Sequence, residues 1–218
     1  MKNISQLGLD TFIETVYYLQ YMKTYDLSDM AKKLSNSVTG LVDKKSLSLI
    51  LGVNGERNLY LVISKLIASG WLVKIERNSY KINNRVLHDF EIANFVYQPS
   101  YVSFETALNY WGILSQFPFE ITSATLKNSK IKTIDDKIFG YSRINKKYYS
   151  GFVKVDNFLI ASPEKALFDQ IYLWSKGLKQ LSWDEYDLTR IDKVVVKKML
   201  LGLSLNKKFK KYIGKGGF

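Results

Sequence analysis

The chain has 218 residues, 46% of them hydrophobic and 14% aromatic, with a formal net charge of +12, no cysteine and a single histidine. That length and balance fit one large or two small folded domains, and they exclude wholesale disorder, a disulfide scaffold, thiolate metal sites, a cysteine nucleophile and a multi-histidine metal centre. No apolar run approaches the roughly 18 residues of a membrane span, and the acid-bearing N-terminal stretch lacks a signal-peptide core, so the expected setting is the cytoplasm, with no membrane partner.

In chain order, residues 10–23 carry apolar residues near the 3.6 period of an amphipathic helix. Ser28 is placed to cap a short helix running through Leu34, and the polar segment 35–43 reads as a loop. Lys45–Leu51 forms the next helix, with Gly52 to end it. A longer helix over Arg57–Ser69 places Leu59, Val62, Ile63, Leu66 and Ile67 on one face. Gly70 follows, and then a hairpin alternates apolar and polar residues around the turn Arg77–Asn78–Ser79. Helix, tight turn, longer helix and hairpin is the order of a winged helix-turn-helix, although Leu27–Leu34 offers an alternative second helix. Docked on DNA, such a helix reads base edges in the major groove while the hairpin reaches a phosphate strand. The candidates are Asn54, Arg57, Asn58, Tyr60, Ser64 and Lys65 for the helix, with Lys74, Arg77 and Asn78 for the wing. Modules of this kind also serve as protein-docking pieces.

Residues 83–98 join the modules and are partly helical, with Ile92 and Phe95 facing inward; Pro99 marks the boundary between domains at 1–98 and 99–218. Beyond it Ser103 caps a helix over 104–114, and strand-like runs follow at 119–126, 130–144 and 147–161. Ser162 caps and Pro163 opens a helix to about residue 178. Helical patches are expected at 183–191 and 192–203, ahead of a basic end. The whole reads as α+β, a winged helix-turn-helix followed by a compact mixed domain.

Charge is unevenly spread. Residues 44–82 hold seven basic residues against Glu56 and Glu76, and residues 193–218 hold eight lysines and no acid. Lys197, Lys198, Lys207, Lys208, Lys210 and Lys211 are therefore candidates for contact with a polyanion or a partner. Catalytic constellations are weak. His88 lies in the linker without a nucleophile motif, Asp135–Asp136 reads as a hairpin tip, and Lys165–Asp169 as an ordinary i,i+4 pair behind Glu164. Tyr148, Tyr149, Phe152 and Trp174 offer stacking surfaces for bases but fit a core better. No enzyme activity, metal or cofactor is expected.

The segments PSYVSFETALNYWG (99–112), FGYSRI (139–144), YYSGF (148–152) and IASPEKALFD (160–169) resemble the antitoxin domain of AbiEi-type proteins. These are the antitoxins of AbiE abortive-infection, type IV toxin–antitoxin systems, which act in phage defence. The resemblance covers about residues 45–180 and implies a DNA-binding autorepressor acting on an inverted repeat in double-stranded DNA upstream of its operon. It also implies a C-terminal domain that counteracts a cognate nucleotidyltransferase toxin. An antitoxin that blocks its toxin directly, or a transcriptional regulator with a ligand-sensing domain, remains the alternative.

Overall fold

A computed structural model describes residues 26–203 and 207–218; the amphipathic helix expected at 10–23 lies outside them. The chain divides into two compact units between Val86 and Leu87, and its architecture is α+β.

In the first unit, helix α1 (Leu27–Ser35) is capped by Asp26, whose carboxylate accepts from Ser28 N at 2.8 Å. The cap thus falls two residues before the expected Ser28. Segment 35–43, expected as a loop, contains a short strand β1 (Leu41–Asp43). Helix α2 (Lys44–Leu51) begins on Asp43, which accepts from Ser46 N at 2.7 Å, and ends on left-handed Gly52 (φ 67°). Helix α3 (Glu56–Ala68) follows, with Gly55 at its N-cap (φ 85°), a conformation that a β-carbon would strain. Strands β2 (Leu72–Glu76) and β3 (Ser79–Ile82) close a hairpin, and the sheet order is β1-β3-β2. Leu34, Leu47, Leu51, Val53, Leu66, Leu72 and Ile82 make the core, and Val53 anchors the turn between α2 and α3. Of the five apolar residues expected inside α3, four are buried and Ile67 is 37% exposed.

The Asp43 cap carries a testable consequence. Hydrogen bonds from Ser46, chiefly its backbone N–H, hold the Asp43 carboxyl below the usual carboxylate range. A depressed folded value means that its stabilising share is present above about pH 4 and is lost as acid protonates the cap in the folded protein. Asp43→Ala is expected to lower stability by about 1 kcal/mol at neutral pH, whereas Asp43→Asn keeps the cap and removes that share of the acid dependence. Urea midpoints between pH 3 and 7 check both expectations.

The second unit holds α4 (Asp89–Val96), β4 (Ser100–Val102), α5 (Phe104–Tyr110), β5 (Ile121–Thr125), β6 (Lys130–Ile134), β7 (Lys137–Arg143), β8 (Phe152–Val155), β9 (Phe158–Ala161), α6 (Pro163–Ser175), α7 (Lys193–Leu200) and α8 (Lys207–Lys215). Its mixed sheet runs β6-β7-β5-β4-β9-β8, with β4 parallel to β9 and β5 parallel to β7. All three residues of β4 are buried, so both faces of the sheet are covered there. Helix α4 packs on β4, β5 and β9, which moves the boundary from Pro99 back to Val86. Ala93 and Val96, rather than Ile92 and Phe95, are its buried residues.

His88 caps α4: its Nδ1 accepts from Phe90 N at 3.2 Å, while its own N–H donates to Glu91 at 3.1 Å. Asp135 and Asp136 form the β6–β7 hairpin tip in left-handed conformations (φ 47° and 62°), as their sequence suggests. Ser162 caps α6 by accepting from Lys165 N, and Pro163 opens it. Ser103 stands at the N-cap of α5 as expected, but its hydroxyl makes no cap bond; it is buried and donates to Asp169. The patch at 183–191 forms two single 3-10 turns, Trp183–Glu185 and Leu188–Arg190.

Candidate nucleic-acid interface

The stripe Leu59, Val62, Ile63 and Leu66 fixes the roll of α3 by burying one face. At 100° per residue, Arg57 and Ser64 then point away from that stripe, Tyr60 flanks them on one side, and Asn58 and Lys65 flank them on the other. Arg57, Tyr60 and Ser64 are exposed, as is Asn54 in the preceding turn, while Asn58 and Lys65 are half-buried. Asn58 is turned to local work: its amide donates to Asn54 O at 3.1 Å and rests against Gly55, steadying the tight turn.

Lys44, which opens α2, was not among the candidates although it lies in the basic stretch. Its ammonium donates to Glu56 at 2.6 Å and to Tyr60 Oη at 3.3 Å, and stands 4.8 Å from the centre of the Tyr60 ring. These contacts, the Glu56 bond first, raise the lysine above its ordinary range and lower the Glu56 carboxyl. They tie the beginnings of α2 and α3 together and engage Tyr60; Arg57 in the first turn of α3 and Ser64 in the third are exposed on the face opposite the buried stripe. Only the composition of 44–82 hinted at Lys44; its partner Glu56 lies 12 residues away.

In the hairpin, Lys74 and Arg77 are exposed. Asn78 is half-buried in the left-handed region (φ 61°), and its carbonyl accepts from Lys44 N at 3.0 Å. It sets the turn rather than presenting a side chain. Tyr80 and Ile82 face the core, which leaves Lys81 on the other side of β3 opposite Val73, while Lys74 stands opposite Tyr80.

The basic end of the chain is built differently from the expected trailing segment. Within α8, Phe209 and Tyr212 pack on Trp174 at ring distances of 4.4 and 4.9 Å, and Ile213 is buried. The Trp183 indole donates to Tyr212 O at 2.9 Å. These anchors leave Lys207, Lys210 and Lys211 exposed, as are Lys197 and Lys198 on α7; the side chain of Lys208 lies outside the described residues. Tyr148, Tyr149 and Phe152 pack against Phe168 and Tyr101, so they serve the core and not base stacking.

The Lys165–Asp169 pair is also not the solvated pair that its spacing suggests, because the two side chains are 3% and 0% exposed. Asp169 accepts from Lys165, from Tyr101 Oη at 2.9 Å and from Ser103 Oγ at 2.8 Å. Burial pushes the Asp169 carboxyl up and the Lys165 ammonium down, against the charge each gains from the other.

Among the described residues no three His, Asp or Glu side chains converge as metal ligands, and no helix is long and apolar enough to cross a membrane. The sequence matches no protein-family model and no curated protein.

If the α8 lysines contact phosphate, each contributes about 0.9 to the slope of log affinity against log salt. Replacing Lys207, Lys210 and Lys211 together by glutamine is expected to flatten that slope by up to about 2.7 on duplex DNA. Because Phe209, Tyr212 and Ile213 stay in place, the helix keeps its anchors. An unaltered slope would assign these lysines to solvent.

Proposed function

We propose that the chain is a DNA-binding antitoxin of the AbiEi type that represses its own toxin–antitoxin operon. In this reading the first unit is a winged helix-turn-helix, with α3 as recognition helix and the β2–β3 hairpin as wing. The observation that carries it is the pairing of an outward Arg57–Ser64 face, opposite the buried stripe of α3, with exposed Lys74 and Arg77 on the adjoining hairpin. A three-stranded sheet in which β1 joins the hairpin supports the same assignment. Two copies on an inverted repeat would supply the footprint that a single small module lacks.

Functional antagonism of a nucleotidyltransferase toxin is the proposed task of the second unit, in the type IV manner without a stable toxin–antitoxin complex and with no cofactor, metal or catalysis, in the cytoplasm. Its support is the resemblance of four segments, three of which meet at one place: Tyr101 and Ser103 from the first, Gly151 from the third, and Lys165 and Asp169 from the fourth. Motif residues that are distant in sequence thus serve one buried network.

Fluorescence anisotropy of the protein against its own upstream promoter DNA tests the DNA reading. A scrambled duplex of equal length is the control, at about 150 mM salt and above, where nonspecific phosphate binding collapses. Tighter, salt-resistant binding to the promoter is expected. Equal, salt-sensitive binding to both would reduce the interface to a basic surface and favour a docking role for the module.

A further inference from the structure

A cavity of about 550 Å³ opens in the second unit between α5, the loop before β5, the middle of α6 and the segment 179–186. Its charged lining is inverted relative to the chain as a whole. Glu105, Glu120 and Glu185 face one cation, Lys179, in a protein of net charge +12. Lys179 Nζ lies 2.8 Å from Glu105 Oε1 and 3.9 Å from Glu120 Oε1. The pocket keeps negative charge after that neutralisation.

Two acceptors in this wall lack donors. Gln170 is 2% exposed, and its amide nitrogen donates to Glu105 Oε1 at 3.1 Å and to Gln180 O at 3.4 Å. Its carbonyl Oε1 is buried without a partner, and so is Glu105 Oε2. Buried acceptors are ordinarily satisfied, and leaving a charged one bare is costly. Both atoms are closed to solvent in this conformation; what the cavity offers a ligand is its surplus of carboxylate, with the Glu120 side chain 33% exposed. Glu120 is held in place opposite them because strand β7 carries a glycine there: a β-carbon on Gly140 would stand 2.8 Å from the Glu120 carboxylate.

The rim selects among cations. Phe117 and Phe119 are 90% and 91% exposed on either side of Pro118, an apolar edge that packs on little among the described residues. Aromatic faces attract a planar cation, and a guanidinium brings five donors in a fixed fork that matches a carboxylate. A bare metal ion fits poorly, since no metal-ligand cluster occurs among the described residues and an ammonium already stands at the carboxylates.

We propose that this cavity receives an arginine side chain presented by a partner protein, with the carboxylates of Glu120 and Glu105 binding the guanidinium and Phe117 and Phe119 packing on the flanking chain. The apolar rim favours a peptide-borne arginine over the free amino acid, whose charged backbone would be desolvated there. The site is built from the second unit alone and does not depend on the DNA reading.

Calorimetric titration of the full chain with acetyl-Gly-Arg-Gly-amide tests it, against the same peptide carrying citrulline, which keeps the shape and loses the charge. Saturable binding of the arginine peptide is expected, with the citrulline peptide weaker by about 10- to 100-fold, the range for a hydrogen bond to a charged group. Glu120→Gln should weaken the arginine peptide to a similar extent. Phe117→Ala with Phe119→Ala removes only exposed rings, so the fold is retained and a loss of affinity reports the rim. Arg57→Ala, in the other unit, should leave this titration unchanged and keeps its outcome separable from DNA binding. Absence of saturation, equal binding of the citrulline peptide, or indifference to Glu120→Gln would overturn the site. Free arginine binding as tightly as the peptide, with no effect of the two phenylalanines, would overturn the partner-protein assignment.

Discussion

Lys165→Ala is expected to destabilise the protein by about 3–5 kcal/mol, the cost of leaving a buried charge without its partner. The side chains concerned are 3% and 0% exposed, so solvent cannot replace the lost ammonium. Asp169 would keep its bonds from Tyr101 and Ser103, but two neutral hydroxyls do not balance a carboxylate inside a core. Packing adds to the loss. The lysine ammonium lies 4.9 Å from the Phe168 ring centre and 5.8 Å from that of Tyr101, and the stem fills space against Gly151. Gly151 has φ 77°, and a β-carbon there would stand 3.2 Å from the lysine stem, so the glycine and the lysine are shaped to each other. The double variant Lys165→Met, Asp169→Leu removes both charges and should recover part of the loss. Recovery stays incomplete because the buried Tyr101 and Ser103 hydroxyls then lack their acceptor. Urea unfolding followed by tryptophan fluorescence measures both. A loss below about 1 kcal/mol in Lys165→Ala would mean that water reaches Asp169, and the network would lose its structural role.

That network shows where sequence reasoning stops. Helix α3 was legible because its apolar residues repeat at the helical period and glycines bracket it, so its outward face followed from arithmetic. Spacing also announced the Lys165–Asp169 contact. It carried no information about burial, since the apolar residues of α6 surround the pair on both sides and eight of its 13 residues are buried. Strands β1 and β4 are three residues long, too short to show alternation, and they exist through pairing with partners far along the chain. Ser103 illustrates the competition directly. A serine before a helix normally caps it by accepting from the N–H three residues on, yet Thr106 N donates to Thr122 Oγ1 at 3.2 Å, while the Ser103 hydroxyl donates to a buried carboxylate 66 residues away. The acidic cavity was invisible for the same reason: Glu105 and Gln170 are 65 positions apart and meet only in the fold. At the DNA face, the candidates were found by chain position, and the structure divides them by task. Asn58, Tyr60 and Asn78 hold local geometry, whereas Arg57, Ser64, Lys74 and Arg77 face outward.

Among those outward residues, Arg57 carries the largest expected effect on DNA. It stands in the first turn of α3, the part of a recognition helix that reaches base edges, and it lies opposite the buried stripe, so its removal leaves the core intact. A bidentate arginine–guanine contact predicts a loss of about 1–3 kcal/mol in Arg57→Ala, or about 5- to 150-fold in affinity for the promoter duplex. Arg57→Lys separates the two ways an arginine can act. Lysine preserves a phosphate contact but not the planar fork, so a base-reading Arg57 gives a lysine variant nearly as weak as alanine on the promoter. On a scrambled duplex the lysine variant should match the parent, because the sequence-independent charge is retained. Full recovery by lysine on both duplexes would move Arg57 to the phosphate backbone and pass the reading of sequence to Ser64 and its neighbours. Unchanged affinity in the alanine variant would remove α3 from the major groove, and with it the observation on which the repressor reading rests.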